Sequence, residues 1–150
     1  MGKYLSQLAY LMLNGEDGRY NEDFKKIYKM VGLKAMKELA RLLDLKEFDI
    51  NFNPGGIAVS GDLRLMGMWS EGSGVYITMN KDFPHRPWGD VLYRAIKHTK
   101  DFTGGPNNWL EFKLLQFPEV LRERVMRLRS PEGGEPYARE GVENPEPYEV

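Results

Sequence analysis

The first 44 residues carry apolar side chains at intervals of three and four, which is the spacing of an amphipathic helix. The first series runs from Leu5 to Leu13 and stops at Asn14-Gly15. The second series begins after Asn21, a residue type that caps helices well, and continues to about residue 44. Gly32 lies within it and is expected to weaken or bend the helix. The pattern therefore predicts two N-terminal helices.

The apolar period then changes to two. Residues 48–52 alternate between apolar and polar types, which predicts a half-buried strand. Further strands are predicted at 57–60, 63–69, 75–79, 91–98 and 109–112, with the first two of these joined as a hairpin. A last helix is predicted to open at Pro118, since proline is favoured in a first turn. The sequence thus predicts an α+β fold: two N-terminal helices, an antiparallel meander sheet of about four to six strands, one C-terminal helix and an acidic extended tail.

Composition changes sharply at about residue 130. Residues 131–150 contain six glutamates, one arginine, four prolines and three glycines, so this segment cannot build a core. We therefore divide the chain into a single α+β domain, residues 1–130, and an acidic Pro/Gly-rich arm, residues 131–150. An arm of this composition is expected to become ordered only against its own domain or against a neighbouring chain.

Charge and residue usage exclude several classes of function. The arm carries −5 and the whole chain −1, which leaves +4 on residues 1–130, too little for an electrostatic nucleic-acid binder. There is no cysteine and there are only two histidines, so we expect no cofactor and no zinc or iron site, and the alternative left open is a carboxylate-based Mg²⁺ or Ca²⁺ site. The lack of cysteine also fits a cytoplasmic, reducing location. No apolar stretch is long enough for a membrane span.

The most polar loop of the predicted domain follows the strand at 91–98. Adjacent glycines there permit backbone N–H groups to surround an anion, while basic, amide and indole side chains supply charge, hydrogen bonds and a stacking surface. The candidate ligand-binding residues are Lys97, His98, Thr103, Gly104, Gly105, Asn107, Asn108 and Trp109. His98 with Asp101 is a weak candidate for an acid–base pair. The alternative is a plain strand connection whose Asp, Asn and Gly residues satisfy turn geometry.

Two further segments are candidates for protein recognition. The first is a proline-flanked loop in which aromatic rings stand beside a cation, a combination found in interface hot spots. Its residues are Phe83, His85, Arg86 and Trp88. The second is the arm, where Tyr137 and Tyr148 each follow a Glu-Pro pair. The alternative for the loop is that its aromatic rings only pack it onto the sheet.

Two other features bear on association. The strand at 63–69 is apolar on both faces apart from Arg64, so it is either covered on both sides or part of a subunit contact. The last helix carries four arginines, which form a solvated face or a docking surface for the acidic arm. These are Arg122, Arg124, Arg127 and Arg129.

The sequence matches neither a GxxxxGK[ST] nor a GxGxxG motif. We interpret the chain as a non-enzymatic interaction protein, a subunit of an oligomeric assembly that self-associates through its arm. Small proteins with extended arms are common among phage and viral components, so an origin in a phage or a mobile element is part of this hypothesis. The alternative is a small enzyme or binding protein that uses the 97–109 loop to hold a nucleotide-like or phosphorylated molecule.

Overall fold

The described part of the chain consists of helices and a single antiparallel sheet. The computed structural model describes residues 2–14, 20–56, 60–81, 90–101 and 104–129. Its elements are, in chain order, α1 (Lys3–Asn14), α2 (Glu22–Leu42), β1 (Glu47–Asn53), β2 (Asp62–Ser70), β3 (Ser73–Asn80), β4 (Val91–Ile96), β5 (Asn108–Leu110), a 3₁₀ helix (Phe112–Gln116) and α3 (Pro118–Met126). The predicted α+β fold is confirmed, with two N-terminal helices, a meander sheet and one C-terminal helix.

The five strands lie side by side in sequence order, and every neighbouring pair is antiparallel. β2 pairs with β1 on one side and with β3 on the other. The predicted hairpin between 57–60 and 63–69 is therefore wrong, because both sides of β2 are occupied by other strands. Residues 57–59 themselves lie outside the described residues.

Two predicted strand ends also need correction. β4 ends at Ile96 rather than at residue 98, so Lys97 and His98 belong to the following loop. β5 ends at Leu110, and Phe112 begins the 3₁₀ helix instead of ending a strand. Phe112 is apolar and therefore resembles the end of a strand in the sequence pattern.

Side-chain capping explains where α2 begins. The Asn21 side chain accepts a hydrogen bond from the backbone N–H of Phe24 at 3.1 Å, as its residue type predicts. α2 then runs without a break through Gly32, where we expected weakening or a bend. A Cβ at Gly32 would lie 2.9 Å from Leu63 Cδ2, so the glycine allows α2 to approach β2 closely. Its role is packing rather than bending.

A single buried cluster joins the helices to one face of the sheet. α2 contributes Tyr28 and Met36, and β2 contributes Leu65 and Trp69. The Trp69 indole N–H donates to the Leu43 carbonyl at 2.7 Å, which ties β2 to the C-terminal end of α2. Because side chains alternate along a strand, the other face of the sheet points away from this cluster. None of the helices in the described ranges is long and apolar enough to cross a membrane.

Candidate functional site

The loop from residue 97 to 109 is held by hydrogen bonds within itself. The Asp101 carboxylate accepts from the backbone N–H of Lys97 and of Gly104, both at 2.9 Å. The backbone N–H of Gly105 donates to the Ala95 carbonyl at 2.8 Å. Gly104 has a φ of +57°, a conformation that suits glycine. The N–H groups that could surround an anion therefore already have acceptors, and at Gly104 that acceptor is itself an anion.

The side chains of this segment are divided between the loop and the sheet. The Asn107 side chain accepts from Arg94 Nη1 at 3.2 Å, and the Asn108 side chain donates to the Pro106 carbonyl at 3.2 Å. Trp109 is buried in β5, whereas Lys97 is exposed. Thr103 lies outside the described residues. The structure thus brings Lys97, His98, Gly104, Gly105 and Asn107 into one loop, whereas Asn108 and Trp109 belong to β5. The Asn107 amide is bonded to Arg94 of β4.

His98 and Asp101 form a turn that is held by hydrogen bonds to backbone groups. His98 lies beyond the end of β4 and is exposed. Its Nδ1 accepts from the backbone N–H of Lys100 at 3.2 Å, and its carbonyl accepts from the N–H of Asp101 at 2.9 Å. These bonds hold the loop shape, and an acid–base role for the pair stays a prediction.

The predicted partner-binding residues cannot be placed. Phe83, His85, Arg86, Trp88, Tyr137 and Tyr148 all lie outside the described residues. No group of three or more histidine or acidic side chains that could hold a metal ion occurs within the described ranges.

Two arginines of α3 bind other parts of the domain. Arg124 donates from Nη2 to the Trp109 carbonyl at 2.8 Å, next to the edge strand β5. Arg122 donates to the Leu42 carbonyl and lies 3.0 Å from the Asp44 carboxylate. Arg127 pairs with Glu123 one turn before it, at 3.8 Å and in a largely exposed position. The first two arginines thus fix α3 to the body, which reduces the basic surface that α3 can offer to the arm.

The larger candidate surface is the sheet face that points away from the buried cluster, which we call the open face. Strand register arranges its side chains in rows across the sheet. The first row is Glu47, Met68, Gly74 and Ile96; the second is Asp49, Met66, Tyr76 and Arg94; the third is Asn51, Arg64, Thr78, Leu92 and Trp109. Met68, Ile96 and Trp109 are buried yet lie outside the cluster that holds the helices.

Two guanidinium groups lie among these apolar side chains. Arg94 lies over the Tyr76 ring, with 4.7 Å between its Cζ and the ring centroid, a cation–π contact. Arg64 is half-buried, and its Nε is buried without a hydrogen-bond partner in the described part of the chain. The open face therefore combines apolar side chains with two guanidinium groups, and its carboxylates are Glu47 and Asp49 in β1 and Asp62 in β2.

Part of the signal for this surface is present in the sequence. The apolar character of both faces of the strand at 63–69 pointed to a strand that is covered twice or that contacts a subunit. The sheet divides the apolar side chains near Trp69: Trp69 and Met79 face the helices, whereas Met66 and Met68 lie on the open face. Arg94 and Tyr76 were missed, because their pairing depends on the register between β3 and β4.

No family model matches this chain, and neither a curated protein nor a solved structure shows a significant match to it.

Proposed function

We propose that this protein is a non-enzymatic subunit of an oligomeric assembly, and that the acidic arm of one copy lies on the open face of a neighbouring copy. The observation that carries the proposal is Arg64, which lies between Asn51 and Thr78 on the open face and whose buried Nε lacks an acceptor in the described residues. Buried donors in folded proteins are nearly always paired. A carboxylate that comes from outside the described body would supply the missing acceptor.

The chemistry of the arm suits this face. Its six glutamates provide acceptors for Arg64 and Arg94, and a carboxylate–guanidinium hydrogen bond is stronger than a neutral one. Charge alone would not order the arm, since each fixed residue costs roughly 1–2 kcal/mol of backbone entropy. Tyr137 and Tyr148 can add apolar contact against side chains such as Met66 and Leu92. The four prolines reduce the entropy cost, because they stiffen the chain before it binds.

The arm is also long enough. The described chain ends at Arg129, and α3 is fixed beside β5 by the bond from Arg124 to the Trp109 carbonyl. Twenty residues in an extended, proline-rich conformation reach about 60 Å. Five strands spaced by about 4.8 Å span about 20 Å between the two edge strands. An arm that leaves near one edge can therefore cross to a neighbouring copy and still follow its open face.

The first experiment compares the full chain with a variant that ends at residue 130. We expect the full chain to be oligomeric by light scattering and the shortened chain to contain fewer subunits per particle, with an unchanged circular dichroism spectrum. A shortened chain with the same number of subunits but a lower melting temperature would show that the arm lies on its own domain. A shortened chain that changes in neither respect would refute any docking of the arm.

The second experiment tests the face itself. A synthetic peptide of residues 131–150 is titrated into the shortened chain by calorimetry. Arg64→Glu should weaken this binding by about tenfold or more, since it replaces the attracting charge with a repelling one. Arg127→Glu, on the exposed side of α3, is the matched control and should change the affinity by less than about threefold. Equal effects of the two substitutions would show that the peptide binds elsewhere.

The cellular location and the origin of the protein are part of the same proposal. A cytoplasmic location and an origin in a phage or mobile element follow from the lack of cysteine and from the extended arm, and they rest on those features alone. The small-ligand alternative at the 97–109 loop stays a prediction.

A further inference from the structure

We propose a second interaction surface: the free edge of β1, which pairs antiparallel with β1 of a second copy, with Ile50 opposite Ile50. The partner is another molecule of this same chain, and the contact is a continuous sheet. This surface is the edge of the sheet rather than its open face, so the proposal does not depend on the arm.

The two edges of the sheet differ. β5 has three residues, and the Trp109 carbonyl accepts a hydrogen bond from Arg124 Nη2. β1 has seven residues, and β2 is the one strand that pairs with it in the described ranges. Its four polar residues are exposed, and Phe48 keeps 38% of its surface exposed. An edge of this length presents unpaired backbone groups that can accept another strand.

The sequence of β1 is nearly symmetric about its centre. It reads Glu-Phe-Asp-Ile-Asn-Phe-Asn, with a polar residue, an aromatic residue and a polar residue on each side of Ile50. In a two-fold contact each residue meets its mirror position on the partner. With Ile50 at the centre, Phe48 faces Phe52, Asp49 faces Asn51 and Glu47 faces Asn53. Aromatic rings then meet aromatic rings, each carboxylate meets an amide, and all seven residues of both strands pair.

Other registers fit less well. Directly opposed residues of an antiparallel pair lie on the same face of the sheet, so the two-fold axis must pass through a residue rather than between two residues. The neighbouring symmetric registers are therefore centred at Asp49 and at Asn51. A centre at Asp49 puts two carboxylates opposite one another, which is destabilising. A centre at Asn51 leaves Glu47 and Phe48 without paired strand residues. Ile50 is therefore the centre that the residues favour.

The geometry has a consequence for the assembly. Because opposed residues share a face, the two-fold axis is perpendicular to the sheet, and the pair forms a sheet of ten strands. The helices of both copies then lie on one side of it, and both open faces lie on the other. The apolar parts of Phe48, Ile50 and Phe52 that remain exposed in one copy become covered by the same residues of the partner.

Single cysteines test the contact and its register, because the chain has no cysteine of its own. Asp49→Cys and Asn51→Cys are made separately in the full chain, and both should fold, since both positions are exposed. Opposed residues lie about 4.5–5.5 Å apart between Cα atoms, within reach of a disulfide. Under mild oxidation by oxidised glutathione, a mixture of the two variants should give a cross-linked heterodimer, whereas neither variant alone should cross-link. Cross-linking of either variant with itself, or none in the mixture, overturns the proposed register.

A charge exchange tests the same contact without a covalent bond. Asn51→Asp places a carboxylate opposite Asp49 at two symmetric positions, so the dimer dissociation constant should rise by about tenfold in sedimentation equilibrium. Adding Asp49→Lys to that variant puts a lysine opposite each new carboxylate and should restore the constant to within about threefold. A seven-residue strand pair is a small interface, so the measurement extends to high protein concentration. A full chain that shows no dimer at those concentrations, or no difference among the three proteins, overturns the proposal.

These results separate the two proposals. Loss of the arm should leave the cysteine cross-link between residues 49 and 51 in place, since the strand pairing uses the edge of β1 and not the arm. A cross-link without peptide binding would reject the arm proposal alone. Peptide binding without a cross-link would reject the strand pairing alone.

Discussion

The Glu38 carboxylate accepts two hydrogen bonds, at 2.9 and 3.1 Å, from the backbone N–H of Tyr4, 34 residues earlier in the chain. One of its oxygens also accepts from the N–H of Leu5 at 2.9 Å. The first N–H groups of a helix have no partner inside the helix, and a negative charge near them is favourable. A residue of α2 therefore caps α1, which carries no acidic side chain in its own first turn.

Replacing this cap should destabilise the whole domain. We expect Glu38→Ala to lower the free energy of unfolding by about 1–2 kcal/mol, because it leaves the N–H groups without an acceptor and removes the favourable charge. Glu38→Gln keeps an acceptor and should cost less. Urea unfolding measures the effect, and Lys37→Ala, its exposed neighbour, is the control with an expected change within about 0.5 kcal/mol. Equal values for Glu38→Ala and Lys37→Ala would contradict the capping role.

Two glycines on the sheet and its loop should respond oppositely to the same substitution. A Cβ at Gly74 would lie 2.4 Å from the Gly67 carbonyl oxygen, so Gly74→Ala should destabilise the fold by about 1–3 kcal/mol. A Cβ at Gly56 would meet nothing within 4 Å, so Gly56→Ala should be neutral or stabilise by up to about 1 kcal/mol. Thermal and urea unfolding of the two variants provide the comparison. If Gly74→Ala costs no more stability than Gly56→Ala, β2 and β3 separate more easily than their register indicates.

The ligand alternative has a direct test at the 97–109 loop. Since Asp101 already occupies the N–H of Gly104, we expect no saturable binding of inorganic phosphate or of a panel of nucleotides by calorimetry. Asp101→Asn removes the competing charge and is included to reveal a site that the carboxylate masks. Binding by either protein that Gly105→Val abolishes, with the fold intact, would favour the ligand alternative over the assembly proposal. Asp101→Ala should instead speed amide hydrogen exchange at Gly104, because that N–H loses its acceptor.

The helices and the class of fold could be predicted because they depend on local properties of the chain. The three-and-four spacing in α1 and α2, the Asn21 cap and the proline at the start of α3 all act within a few residues, and all are confirmed. The alternation around Ile50 predicted β1 for the same reason. The false hairpin at 57–60 arose because a sequence pattern does not say which strand takes each side of β2.

The candidate surfaces depended on contacts between distant residues. Arg94 meets Tyr76 through the register of β3 and β4, and Glu38 meets Tyr4 across two helices. The ligand residues at 97–109 were chosen for their types, but only the fold showed that Asp101 takes the backbone N–H groups an anion would need. The sequence by itself determined the elements, their order and the symmetric pattern of β1, because these follow from local periodicity. Tertiary structure decided which face of the sheet the helices cover and which strand pairs with which, because burial and pairing depend on which strands and helices become neighbours in space.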